Sequence, residues 1–257
     1  MQRGSKRGLE MKLTRKVDVR DKPDHPYNGT SSLRDNTRNV LSRLGAVIPA
    51  PVLHWTSRSV SVAETGRWMK DRGFDTSDRV NSRYVLFDLA ASELGDSEIL
   101  YLEFGVASGA AMRYWSKILR GRNAHLHGFD TFEGLPWQWT RERPKGYFDQ
   151  SGEPPKIDDE RVRFFKGLFS ETLPSYEPPP HDRLFLCLDA DMYTSTAYVL
   201  DHFKALITPG TLIYFDEFNY YADELRAFEE FWDATKMNFR LRGATKDLGG
   251  VLFQRVP

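Results

Sequence analysis

The stretch Ile99-Leu-Tyr-Leu-Glu-Phe104-Gly105-Val-Ala-Ser108-Gly109 decides the fold. Ile99 to Phe104 is a short, almost wholly apolar run, the pattern of a strand buried on both faces. Glycines follow at 105 and 109, and Gly109 to Leu119 (GAAMRYWSKIL) has helical character with a stop near Gly121. Such a strand–glycine–helix junction lets the backbone turn sharply, approach a ligand closely and present unpaired helix N–H groups to it. The same junction also serves as a tight turn with no ligand.

Outward from this stretch the rhythm repeats. His125 to Phe129 reads as a strand ending at Asp130, Arg161 to Lys166 as another, and Leu184 to Leu188 as a fully apolar strand ending at Asp189. Ser195 to Ile207 is helical, Leu212 to Phe215 is a strand ending at Asp216, and Asp223 to Thr235 is helical again. Phe239 to Arg242 and Val251 to Arg255, with Gly249-Gly250 between them, read as a closing antiparallel pair. Apolar strands alternating with helices predict an α/β fold, a mostly parallel sheet with helices on both faces. Ligands of such sheets bind at the carboxyl ends of the strands. Here those ends carry Glu103, Asp130, Asp189 and Asp216.

The flanks differ in character. Residues 61–96 read as a helical lead-in, with Ala63 to Asp71 and Arg83 to Leu94 as its pieces and Gly95 as a stop. Residues 1–60 read as a basic N-terminal extension, partly disordered, with a short helix near Leu33 to Leu44; eight Lys and Arg face three acids in its first 22 residues. The boundary near residue 61 assigns 61–257 to the main domain. Residues 136–160 (PWQWTRERPKGYFDQSGEPPKIDDE) lack periodicity but hold Trp137, Trp139, Tyr147 and Phe148, which suggests an inserted loop acting as a lid.

Composition narrows the function classes. Lys plus Arg and Asp plus Glu both number 36, so the chain is neutral overall, which argues against nucleic acid as the main partner. No apolar run is long enough to insert stably in a membrane. A single cysteine, Cys187, removes any disulfide framework and any multi-cysteine metal site, in keeping with a reducing cytoplasm. The six histidines do not form a ligand set. No GxSxG nucleophile elbow occurs, and a GxGxxG dinucleotide fingerprint is missing.

Three motifs can carry chemistry. In the first, Glu103 before Gly105 would repel a pyrophosphate and suit a cationic or amine-bearing ligand; S-adenosylmethionine, with its sulfonium and ammonium, is one. In the second, His127-Gly-Phe-Asp130-Thr131-Phe-Glu-Gly-Leu-Pro136, Asp130 stands where the acid of a second strand holds a ribose diol, or else caps a turn. The third joins Asp189-Ala-Asp191 to Asp216-Glu217. On neighbouring strands these ends lie about 5 Å apart. Unneutralised carboxylates there would raise each other's pKa, and a hard divalent cation, Mg²⁺ first, resolves the conflict. The acids otherwise cap the following helices, as Thr194 and Ser195 are expected to do.

With these motifs in hand, the chain resembles the class I S-adenosylmethionine-dependent methyltransferases of the macrocin O-methyltransferase family. EFGVASG, GFDTFEGLP, FFKGLFSETLP, LDADMYTST and PGTLIYFDEF occur in the family's order across residues 98–218. The resemblance implies a Rossmann-like, seven-stranded, mostly parallel sheet with an antiparallel last strand. It implies S-adenosylmethionine and Mg²⁺ or another divalent cation as cofactors. Glu103, Gly105, Ser108 and Gly109 would face the methionine part, Asp130 and Thr131 the ribose, and Gly167, Leu168 and Phe169 the adenine, with Asp189 adjoining. Asp189, Asp191, Asp216 and Glu217 would hold the metal, Glu217 standing where close relatives carry a second Asp. Asp189 and Asp191 are the catalytic candidates, Asp191 as proton acceptor for a metal-polarised hydroxyl. The acceptor implied is a hydroxyl of a small molecule, a sugar or natural-product glycoside. A non-catalytic cofactor-binding module and a hydroxylase-like relative on the same scaffold are the alternatives, and a homo-oligomer is left open.

Overall fold

The computed structural model describes residues 33–120 and 122–257. The expected disorder of the basic tail lies outside the described residues. The chain divides into two compact units, with the boundary after Leu53. The first holds α1 (Leu33–Gly45) and the start of α2 (Ala50–Asp71). Pro51 does not break α2, because it falls in the first turn, where no intrahelical N–H is needed.

The second unit is built on one sheet. Its strands are β1 (Arg79–Val80), β2 (Ile99–Phe104), β3 (Ala124–Asp130), β4 (Val162–Lys166), β5 (Arg183–Leu188), β6 (Leu212–Phe215), β7 (Asn238–Thr245) and β8 (Val251–Val256). The spatial order is β1-β7-β8-β6-β5-β2-β3-β4, with β8 antiparallel to both neighbours and every other pairing parallel. The sheet is therefore of the expected Rossmann-like kind, with the two-residue β1 added at one edge as an eighth strand. Around it lie α3 (Arg83–Leu94), α4 (Ala110–Ile118), α5 (Phe169–Thr172), α6 (Tyr193–Phe203) and α7 (Arg226–Thr235). The helical segment expected from Asp223 begins instead with an irregular wide turn at Tyr221–Leu225, where Asp223 leaves helical geometry. Among the described residues no helix is long and apolar enough to cross a membrane.

Strand alternation sorts the core into two layers. Leu100, Leu102, Phe104, Leu186, Leu188, Ile213 and Phe215 pack with Val199, Phe203 and Phe228 of α6 and α7. Ile99, Tyr101, Phe185, Cys187, Leu212 and Tyr214 pack with Leu86, Phe87, Met112 and Trp115 of α3 and α4. Glu103, Asp189 and Asp216 each continue a row of the second layer beyond its apolar part, because side chains two apart share a face. That places their carboxylates toward the start of α3. From β2 the chain builds outward to β3 and β4, then crosses back to β5 on the other side of β2. The crevice at this reversal is where an open α/β sheet binds ligands.

One core group carries a pH dependence. His127 of β3 is buried, with Nδ1 2.7 Å from the Tyr176 hydroxyl. Burial, with His125 and Arg163 adding repulsion, lowers its pKa from 6.5 to about 4. The unfolded chain takes up this proton first, so His127 contributes stability that is complete above about pH 6.5 and is lost as pH falls toward about 4. Urea midpoints at about pH 7 and about pH 5 check this: the gap between them narrows in His127→Gln.

Candidate functional site

The ends of β2, β3, β4, β5 and β6 open into one cavity of about 540 Å³, within the roughly 300–1,000 Å³ common for small-molecule sites. Gly105, Asp130, Thr131, Gly167, Leu168, Phe169, Asp189, Asp191, Asp216 and Glu217 all line it. Sequence separations of more than a hundred residues are thus closed at one rim. Glu103, Ser108 and Gly109 do not line the cavity; Glu103 is buried behind it.

The glycine loop is shaped by close approach. Gly105 has φ +91°, and a Cβ there would stand 1.9 Å from the Asp189 carbonyl oxygen. Gly105 is therefore what allows the end of β2 to lie against the end of β5. Ala107 also adopts a positive φ of 45°. Asp130 holds this loop: its Oδ2 accepts from the Val106 N–H (2.8 Å) and the Ala107 N–H (2.7 Å), and its Oδ1 accepts from the Phe132 N–H (2.8 Å). A carboxylate has about four acceptor positions, so roughly one is left for a ligand. Asp130 thus caps a turn and lines the cavity at once.

The acids are neutralised by two arginines that sequence reasoning had not singled out. Arg83, the first residue of α3, places Nη1 3.1 Å from Asp189 Oδ2 and 3.0 Å from Asp216 Oδ1. Arg143, from the irregular loop, places Nη1 3.5 Å from Asp191 Oδ1 and 3.2 Å from Glu217 Oε1. The Tyr214 hydroxyl donates to Asp216 (2.6 Å), and the Tyr101 hydroxyl donates to Glu103 (2.8 Å). A sixth acid, Glu224, is fully buried nearby; its Oε2 accepts from the Glu217 N–H (2.9 Å), and its Oε1 has no partner among the described residues. Neither arginine was legible locally. Arg83 opens a helix otherwise recognised by its apolar face, and Arg143 sits among other charges in Arg141-Glu142-Arg143.

Among the described residues, six carboxylates against Arg83, Arg143 and the more distant Arg58, whose charge is felt by Glu217, leave the rim short of positive charge. Burial raises the Glu103 pKa to about 8, against the pull of Tyr101 and Arg83. Burial and then Glu217 raise Asp191 to about 7, with Arg143 opposing. Burial and Asp216 push Asp189 up, and burial pushes Glu224 up. Asp191 also holds φ 59°, a left-handed conformation found mostly at turns and functional sites. As the side chains lie, no three His, Cys, Asp or Glu among the described residues form a ready metal cage.

Thr194 and Ser195 are not caps. The cap position of α6 falls on Met192, which makes no capping bond, and both hydroxyl residues sit inside the helix and line the cavity. The loop over residues 136–160 contributes Pro136, Trp137, Arg143 and Phe148 to the lining. It is anchored by the Trp139 indole N–H, which donates to Asp223 (2.9 Å), and by the Trp139 ring against Tyr220.

A family model described as macrocin O-methyltransferase (TylF) matches residues 98–255, more than half of the chain. The chain belongs to the macrocin O-methyltransferase family. It is a class I S-adenosylmethionine-dependent O-methyltransferase. No curated protein matches it. Among solved structures it is similar to the O-methyltransferase NovP, at 21% identity over 68% of this chain and 80% of that one, TM-score 0.52. It is also similar to CalS11, a calicheamicin methyltransferase, at 18% identity over 91% of this chain and 97% of that one, TM-score 0.52. At these identities the likeness speaks for the fold.

For this methyltransferase, Gly105→Ala is expected to cost about 3 kcal/mol of stability, from the clash with Asp189 and the positive φ together. Thermal or urea unfolding of the purified variant measures it; an unchanged midpoint would show that the β2 and β5 ends are not in contact.

Proposed function

We propose that this enzyme methylates a hydroxyl of a small molecule, a sugar or natural-product glycoside, with S-adenosylmethionine as donor and a divalent cation, Mg²⁺ first, as helper. The observation that carries the reading is the meeting of the glycine loop, Asp130 and the acids of β5 and β6 at one cavity. The family's description and the calicheamicin methyltransferase among similar folds favour natural-product acceptors. So do Trp137, Phe148 and Tyr198, which line the cavity with their rings partly exposed, apolar surface that an acceptor would cover.

In this reading the cofactor's adenine lies by Gly167, Leu168 and Phe169, its ribose by Thr131 and the remaining acceptor position of Asp130, and its methionine end by Gly105. Glu103, Ser108 and Gly109 shape that end from behind. The donor set suits a hard cation: Asp189, Asp216 and Glu217, with Asp191 beside them, are all oxygen ligands. The shortage of positive charge, and the unpartnered Oε1 of buried Glu224, fit a further cation at the rim. When bound, such an ion would lower the pKa of the acceptor hydroxyl and orient it.

The chain's own residues supply the remainder. Asp191, pushed up to about 7 by burial and Glu217, is a base poised near neutral pH, and its carboxylate accepts the proton as the hydroxyl oxygen attacks the methyl carbon. Asp189 aligns the reacting groups from the end of β5. The sulfonium leaves as a neutral thioether, so no acid is needed on that side. Arg143 holds Asp191 and Glu217 until an acceptor or ion takes its place. The rings of the 136–160 loop shield the reacting pair from water.

The test uses labelled S-adenosylmethionine, Mg²⁺ and a panel of glycosides. Asp191→Asn is expected to lower kcat by about 10²–10⁴-fold while the cofactor Kd moves by less than about threefold. An unchanged kcat removes Asp191 as the base. Cofactor binding by the unaltered enzyme with no transfer to any hydroxyl would point to a non-catalytic binding module.

A further inference from the structure

S-adenosylmethionine ends in a zwitterion. The acidic rim suits its ammonium, but it would repel its α-carboxylate. A cation is needed within reach of the glycine loop. Among the described residues lining the cavity, the cations are Arg83 and Arg143. Arg143 belongs to the outer loop, where its guanidinium lies 4.6 Å from the Trp139 ring and pairs with Asp191 and Glu217. Arg83 belongs to the inner wall: its partner Asp189 is the residue whose carbonyl crowds Gly105, and its charge is felt by Glu103.

We propose that Arg83 is the residue that binds the α-carboxylate of the cofactor, at the methionine end of the pocket where Gly105 lies against Asp189. The inference rests on the cofactor pocket proposed above. It concerns a residue outside the 98–255 stretch that the family model matches.

Three observations support it. A guanidinium carries five N–H donors, and the acid pair takes only those of Nη1. Among the described residues none accepts from Nε or Nη2, and the side chain keeps about a quarter of its surface open (26%). Arg83 thus has unused donors in the planar fork that carboxylates match. Its position is also held firmly. Ser82 caps α3 by accepting from the Tyr84 N–H, and the Tyr84 ring lies 5.7 Å from the guanidinium and 4.6 Å from Tyr114. Finally, although burial opposes its charge, Asp216 and Asp189 hold Arg83 firmly protonated. The pair of acids therefore fixes the arginine without exhausting it.

The experiment compares S-adenosylmethionine with decarboxylated S-adenosylmethionine, which lacks only the carboxylate, by calorimetry on the full chain. The unaltered enzyme is expected to prefer the complete cofactor by about 10- to 100-fold, the worth of one charge-assisted contact. In Arg83→Met the preference is expected to fall to within about threefold, chiefly through weaker binding of the complete cofactor. If that variant misfolds because Asp189 and Asp216 lose their counter-charge, Arg83→Met with Asp216→Asn restores the balance and is read in the same way. A preference that persists in the folded variant, or one that is absent from the unaltered enzyme, overturns the assignment and leaves Arg83 as a counter-charge for the acids. Failure of the unaltered enzyme to bind either compound overturns the pocket itself.

Discussion

Desolvated carboxylates at the ends of parallel strands are the constraint on which this molecule turns. Glu103, Asp189, Asp191, Asp216, Glu217 and Glu224 are drawn together at or just behind one rim, while among the described residues Arg83 and Arg143 pair with four of them and Arg58 acts on Glu217 from further off. Burying a charge without a partner is costly, so such a cluster survives only where protons, guanidiniums or bound cations offset it. The raised pKa values of Glu103 and Asp191 show protons offsetting part of it. A cationic methyl donor offsets it further. The arrangement that burdens the fold is the arrangement that favours a positively charged ligand.

The sheet makes this clustering possible by its reversal of direction. Because β5 returns beside β2, Asp189 comes against the glycine loop, and β6 brings Asp216 and Glu217 alongside. Alternation then divides the acids. Asp189 and Asp216, which continue the Cys187 and Tyr214 rows, meet Arg83 on α3, whereas Asp191 and Glu217 meet Arg143 on the loop. One arginine is thus part of the framework and the other part of a segment with neither helix nor strand.

The apolar side of the cavity complements this charged wall. Trp137 and Phe148 come from the inserted loop, and Met192 and Tyr198 come from the β5–α6 junction and the helix after it. A methyl transfer needs no acid for its leaving group, but it does need the acceptor oxygen and the methyl carbon held at about 3–3.5 Å with water kept away. In the proposed reaction, rings on one side and acids on the other would divide that labour between positioning and proton removal.

Much of this was legible in the sequence. The apolar runs at 99–104, 184–188 and 212–215, the first carrying Glu103 near its end and the other two followed by Asp189 and Asp216, determined a parallel sheet and the convergence of those acids, because a strand buried on both faces must be apolar until it nears the rim. GFDTFEGLP with LDAD and FDE downstream of it pointed to the family that the family model then matched. Other features were decided only by the tertiary structure. The two-residue edge strand at Arg79–Val80 is too short to leave a pattern. Thr194 and Ser195 have the chemistry of caps, yet the chain turns into α6 earlier, at Met192. Arg83 stands 106 residues before Asp189. Charge pairing across such a separation leaves no periodic trace, since electrostatic partners are chosen by distance in space while local sequence records only which face of a strand or helix is buried.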